Sequence, residues 1–382
     1  MQDMPDIVIV GGGFGGVALA YCLAKGGASV TLLEAGSLGG GTSAAPAGRA
    51  QIIDSETEEY LDLVLAGYNR LEGLGEELGI DLEWTLPGHL TLISNEDQWR
   101  KFEGLVTRLQ QRAIPAEMID QAALQRAEPY LRTDGFLGAA YSHEGHLNPF
   151  KFTAGYARAA CRFGAKILHH ARVIGFEKSG NRITAVITER ERISGRVVLL
   201  AVGAWTGELA AKAGIAFPMR YTHAEAIVSE SLPRVLNHHI GMTGFYEAVH
   251  GSERSVTLGI GQHPNGTLLA SNAVQKMEKV DLSSTYWGMP ALCRAIRAFF
   301  PRLGGVRIVR TWAAPSPFTP DYLPAIGWLP GFDNLYVAAG FHLAIPTIPV
   351  LAEQAARSIL EFEEQPLLAP YDPKRFFDSS TV

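Results

Sequence analysis

Near its start the chain reads Asp6-Ile7-Val8-Ile9-Val10, a short β-branched run with no polar interruption. Continuous apolar character of this kind predicts a strand covered on both faces, as in a parallel sheet. Glycines follow at once, Gly11-Gly12-Gly13-Phe14-Gly15-Gly16, and lead into Val17 to Lys25, a run of good helix formers that stops at Gly26-Gly27. Ser29 to Leu33 predict a second strand, closed by Glu34. A strand, helix, strand opening points to an α/β fold with a parallel sheet.

From Glu56 to Leu78 apolar residues recur at helical spacing, and a further helical signal spans Gln98 to Arg112. Gly88 to Ile93, Ala139 to Tyr141 and Met219 to Ser229 read as strands, several of them alternating, which predicts a second, mixed α+β domain. Lys166 to Thr188 and then Arg196 to Val202 read as strands returning to the first domain. Asn334 to Ala338, followed by a helix from Pro349 to Glu361, repeats that signature. The expected architecture is therefore a discontinuous Rossmann-like domain (1–85, 145–215 and 320–382) and a substrate domain on an antiparallel sheet (86–144 and 216–319).

With 382 residues the chain exceeds what one core usually serves, in agreement with two domains. The net charge of −6 is spread without long runs, which gives no field for gripping nucleic acid. Cys22, Cys161 and Cys293 lie too far apart in sequence for a close-spaced metal or dithiol pair, so no metal is expected. No export signal and no run of about 20 apolar residues is visible, so a cytoplasmic location is expected, with membrane contact at most peripheral at its inner face.

Gly11, Gly13 and Gly16 fit G-x-G-x-x-G between a strand and a helix. The first glycine makes a tight turn, the second leaves room for a diphosphate, and the third lets helix and strand pack closely. The helix starting near Phe14 offers N–H groups and a positive dipole end to that diphosphate. Glu34 follows at the end of the second strand, where a carboxylate accepts ribose hydroxyls and repels a 2′-phosphate. FAD and NAD both fit this motif, and NADP does not.

Later segments narrow the choice. Gly41-Thr42-Ser43-Ala44-Ala45-Pro46-Ala47-Gly48-Arg49 is a small-residue loop, Gly145-His146-Leu147-Asn148-Pro149 a G-x-x-x-P step, and Val197 to Trp205 a strand ending in A-x-G-A-W. Arg310-Thr311-Trp312-Ala313, Thr319-Pro320-Asp321, Pro324 and Gly327 come next, then Ala339-Gly340-Phe341-His342. In this order they resemble the D-amino-acid oxidase superfamily of FAD enzymes. That superfamily includes glycine oxidase, sarcosine oxidase, D-amino acid dehydrogenase and the flavin subunits of hydrogen cyanide synthase and of opine and hydroxyproline dehydrogenases.

The resemblance implies an FAD-binding domain of the glutathione-reductase type. The cofactor-binding residues it implies are Gly11, Gly13, Phe14, Gly16, Glu34, Ala35, Thr42, Ser43, Arg49, Val173, Ala201, Gly203, Trp205, Gly327, Gly340, His342, Leu343, Ala344 and Ile345. Without a cysteine in the C-terminal segment, the FAD is expected to be non-covalent. The implied chemistry passes hydride from the C–H beside an amine nitrogen to flavin N5, leaving an imine that water hydrolyses. Arg49, Tyr246, His342 and Ser316 are the candidate catalytic residues, whereas His223, His169-His170 and His238-His239 read as ordinary histidines.

Ser316 marks a departure, because glycine oxidase relatives carry an arginine there that pairs the substrate carboxylate. Serine supplies no charged bidentate clamp. Either another cation such as Arg49 or Arg220 takes the role, or the substrate is larger, as an opine, a hydroxyproline or an iminodiacetate is. A β-type subunit passing electrons to a flavin or iron–sulfur partner and a stand-alone, peroxide-forming oxidase both remain open. An NAD-dependent dehydrogenase and a non-catalytic FAD-binding subunit are the readings of other classes.

Overall fold

The computed structural model describes residues 6–55, 57–243, 254–277 and 279–377. One six-stranded sheet has the order Ala325–Trp328, Leu335–Ala339, Val197–Leu200, Ile7–Val10, Val30–Leu33, Lys166–Leu168. Its neighbours run parallel except for the first pair. Ile7 and Ile9 face a core shared with the helices Phe14–Lys25, Pro149–Arg162 and Ala344–Glu361. Val8 and Val10 face a second core, shared with the helix Thr206–Ala213. None of the four is more than 4% exposed, and full burial of each such side chain contributes about 1.5–3 kcal/mol.

Local signals set the ends of these helices. Gly13 caps Phe14–Lys25, and Gly27, at φ +93°, lies just past its end. Pro149 occupies the first turn of the next helix on this face, while Asn148 Oδ1 accepts the Phe150 and Lys151 N–H groups at 3.0 and 3.2 Å. The two helices meet through Phe14 and Phe152, edge-on at 5.1 Å.

The second large sheet has eight strands, in the order Ile308–Phe318, Arg220–Ser231, Thr267–Lys276, Ser255–Gln262, His239–Met242, His89–Ile93, Gly138–Ser142, Ala116–Asp120. Its pairs are antiparallel except His239–Met242 beside His89–Ile93. The helices Gln121–Ala127 and Gly288–Phe299 share its apolar core. A nucleotide-type sheet gathered from distant stretches, with a second domain on a mainly antiparallel sheet, is the α/β architecture that the sequence led one to expect.

Three elements differ from expectation. The helical stretch 56–78 is two helices, Glu58–Tyr68 and Leu71–Leu78. Of the strands between Lys166 and Thr188, Lys166–Leu168 alone joins the nucleotide sheet; Val173–Ser179 and Arg182–Thr188 pair with Arg192–Ile193 in a separate antiparallel sheet. The last helix begins at Ala344 rather than Pro349, because the left-handed turn at Leu343 starts it and Pro349 sits inside it.

Candidate functional site

A cavity of about 820 Å³ is lined by both large sheets, within the size range of ligand sites. At one end strand Ile7–Val10 delivers Gly11, held at φ +105°, where a Cβ atom would lie 2.3 Å from the Ala201 carbonyl oxygen. Gly16 packs behind it, since a Cβ there would fall 1.9 Å from the Gly11 carbonyl oxygen. Both positions exclude a side chain, and so the helix start is pressed onto the loop. Gly13 leaves open the space in front of Ser43, whose Oγ accepts the Phe14 N–H at 3.0 Å.

Glu34 turns toward this loop. Its Oε2 accepts the Gly12 N–H at 2.8 Å and its Oε1 the Gly36 N–H at 2.7 Å. A carboxylate has about four acceptor sites, so capacity for a ribose diol remains. Ala35, Thr42, Val173, Ala201, Gly203 and Trp205 line the same end. The small-residue loop is tied to strand Ile308–Phe318: Thr42 Oγ1 donates to the Pro315 carbonyl at 2.9 Å and Trp312 Nε1 to the Ala45 carbonyl at 3.2 Å. The cradle of glycines, the helix start and Glu34 fit a dinucleotide.

Arg49 stands at the other end. Its Nε donates to Glu144 Oε2 at 2.6 Å, and its Nη2 lies 3.4 Å from Asp54 Oδ2. Glu144 is buried and also accepts the Ile52 and Ile53 N–H groups, each at 2.9 Å. Burial pushes the Asp54 carboxyl up from its ordinary value, while Arg49 pulls it back. Ser316 lines the cavity on its strand, opposite Thr222.

Three histidines, His89, His146 and His239, gather beside Arg49, and His263 joins them through His146. The parallel strand pair sets His89 opposite His239, and both line the cavity. His146 stacks on His239 at 5.3 Å and meets His263 edge-on at 4.5 Å. Burial is the main cause that depresses all four, His146 to about 4, so they are neutral imidazoles at pH 7. The sequence reading took His239 for an ordinary histidine and passed over the other three, because a non-local strand pair assembles them.

Gly340, His342, Leu343, Ala344 and Ile345 reach the cavity at the start of the helix Ala344–Glu361. Gly340 and Leu343 hold positive φ, +68° and +50°. The Tyr60 hydroxyl donates to the His342 carbonyl, and the two rings stack at 6.3 Å.

Gly327 is not brought to the cavity: its strand edge packs against the C-terminal turn, where a Cβ would come within 2.7 Å of Pro373 Cδ. Arg220 is exposed and away from the lining. Tyr246 lies outside the described residues.

Sequence reasoning also missed Asn272. It holds φ +76° at the point where the pairing of Glu225 with Ala273 shifts to Ala226 with Ser271, and it lines the cavity. A register shift inside a strand is a bulge, and bulges often re-aim a side chain beside an active site. The three cysteines are absent from the lining, and the described residues form no cluster suited to a metal. No helix among them is long and apolar enough to cross a membrane.

Fold and cavity together define a candidate dinucleotide site between the two large sheets. The chain belongs to the DAO family, FAD dependent oxidoreductase, whose profile matches residues 6–358. FAD is thus the dinucleotide of this enzyme. The hydrogen cyanide synthase subunit HcnC of Pseudomonas protegens is 25% identical over 97% of this chain and 96% of its own. Sarcosine oxidase subunit beta of an Arthrobacter species is 27% identical over 97% of this chain and 91% of its own. The crystal structure of L-proline dehydrogenase from P. horikoshii superposes with a TM-score of 0.87 at 25% identity, covering 99% of both chains.

Proposed function

We propose that the enzyme oxidises an amine or amino acid at the carbon beside its nitrogen. When bound, FAD supplies the acceptor for the hydride and its two electrons. The nitrogen lone pair then completes a C=N bond, its proton passes to solvent, and water hydrolyses the imine. The observation that carries this reading is one continuous cavity, with the Gly11–Glu34 dinucleotide cradle at one end, the Arg49 and His89 wall at the other, and Ser316 on the strand tied to the small-residue loop. The names of the relatives support it, being an L-proline dehydrogenase and a sarcosine oxidase subunit.

In this reading the Gly13 N–H at the helix start meets the diphosphate, Gly11 and Phe14 shape the turn around it, and Glu34 holds the ribose. Ala35, Thr42, Ser43, Val173, Ala201, Gly203 and Trp205 flank the nucleotide, while Gly340 to Ile345 bring the positive end of the last helix to the ring system. Arg49 and His342 face the reacting end. Stretches 1–85, 145–215 and 320–382 form the FAD domain, and 86–144 with 216–319 form the substrate domain. With no cysteine in the lining, attachment through a thiol is excluded and non-covalent binding is favoured.

An opine, a hydroxyproline or an iminodiacetate would each bring a carboxylate to a wall whose guanidinium is already paired. A cytoplasmic β-type subunit is favoured over a stand-alone oxidase, because relatives across nearly the whole chain are themselves named as subunits. Flavin absorbance under argon tests the reading: amines are expected to bleach the visible band. A flavin that dithionite reduces but no amine or amino acid does would contradict it.

A further inference from the structure

Within the oxidation proposed above, the charges at the Arg49 end decide which amines enter. Among the described residues Arg49 is the one lysine or arginine lining that end. Arg172 and Lys212 line the opposite end: Arg172 follows Ala171, which donates its N–H to the Glu34 carbonyl, and Lys212 lies on the helix behind Trp205. Positions 1–5, 56, 244–253, 278 and 378–382, which the structure does not describe, contain no lysine or arginine.

Arg49 is matched twice, by Glu144 at 2.6 Å and by Asp54 at 3.4 Å. With both carboxylates ionised the set carries a single negative charge; with Asp54 protonated by burial it is neutral. In neither state is it positive. The neighbouring imidazoles are neutral.

A substrate carboxylate in this place would be desolvated with no uncommitted cation to receive it, which is costly. An ammonium or neutral amine meets the opposite situation. His89 and Thr91 line the cavity, and His89 Nδ1 and Thr91 Oγ1 have no hydrogen-bond partner. Leu269 and Trp312 supply apolar surface farther along the same cavity.

We infer that the cavity selects amines that carry an apolar substituent and no carboxylate on the carbon beside the nitrogen. The test uses the FAD-loaded full chain under argon with matched pairs: phenethylamine against either enantiomer of phenylalanine, and pyrrolidine against either enantiomer of proline. At equal concentration the amine is expected to bleach the flavin at least about tenfold faster, the selectivity of one well-placed interaction. Amino acids bleaching as fast or faster overturn the inference.

If dithionite alone bleaches the flavin, the oxidation reading fails, and selection is then read by binding. Thermal shift with 2-phenylpropan-2-amine and with 2-amino-2-phenylpropanoate, neither of which has a hydrogen on the carbon beside the nitrogen, separates the two. The amine raising Tm more upholds the inference, and any other order overturns it.

Discussion

Arg49 and Glu144 meet at 2.6 Å, and the carboxylate that receives the guanidinium is fixed from behind by two backbone N–H groups, those of Ile52 and Ile53. Breaking a buried pair from one side strands the remaining charge, at a cost of about 3–5 kcal/mol. Urea unfolding of Glu144→Ala is expected to show a loss of that size, with Glu144→Gln losing less because it keeps an acceptor. An unchanged midpoint for Glu144→Ala would mean that the pair does not hold the wall.

Glu34 contributes to the cofactor rather than to chemistry. Its hydrogen bonds are charge-assisted, each worth about 1.5–3 kcal/mol, so Glu34→Ala is expected to weaken FAD binding by roughly 10–100-fold. Equilibrium dialysis against FAD measures this. Retention of FAD at the parent affinity contradicts the ribose role.

Acid should unfold the protein through its buried histidines. His146 is held near 4, against an ordinary value of 6.5, so between those values the unfolded chain binds the extra proton. Stability is then fully present above pH 6.5 and falls as pH drops toward 4, by roughly 2 kcal/mol at pH 5 from His146 alone. His89, His239 and His263 act in the same direction. Urea midpoints at pH 7.5 and pH 5 check the slope, and His146→Asn is expected to flatten it.

How much of this was legible from sequence depends on the range of the signal. The glycine loop and Glu34 were, because the turn, the helix start and the strand end lie within one local βαβ unit. The return of distant strands such as Val197 to Leu200 to the first sheet followed from their uniformly apolar runs. The wall opposite was not, because Glu144, His89, His239 and His263 meet only through pairing across the second sheet. Gly327 was misplaced for the opposite reason: a motif position was read as a contact, while the folded edge turns it against Pro373.

Asn272 separates backbone from binding. At φ +76° glycine is at least as well suited as asparagine, so Asn272→Gly should leave stability unchanged or raise it by up to about 1 kcal/mol. Loss of its carboxamide from the cavity should raise the substrate concentration needed for half-maximal flavin reduction. Thermal unfolding and anaerobic titration read the two effects apart, and an unaltered titration removes Asn272 from the substrate wall.

The central claim is a dinucleotide seated between the Gly11–Gly13 cradle and the start of the helix at Ala344. Acid precipitation of the purified, FAD-saturated and desalted chain measures it most directly, through the flavin released per protein. One FAD per chain in the supernatant, with a colourless pellet, is the expected result. A chain that stays folded but releases no FAD, or keeps it in the pellet, contradicts the account.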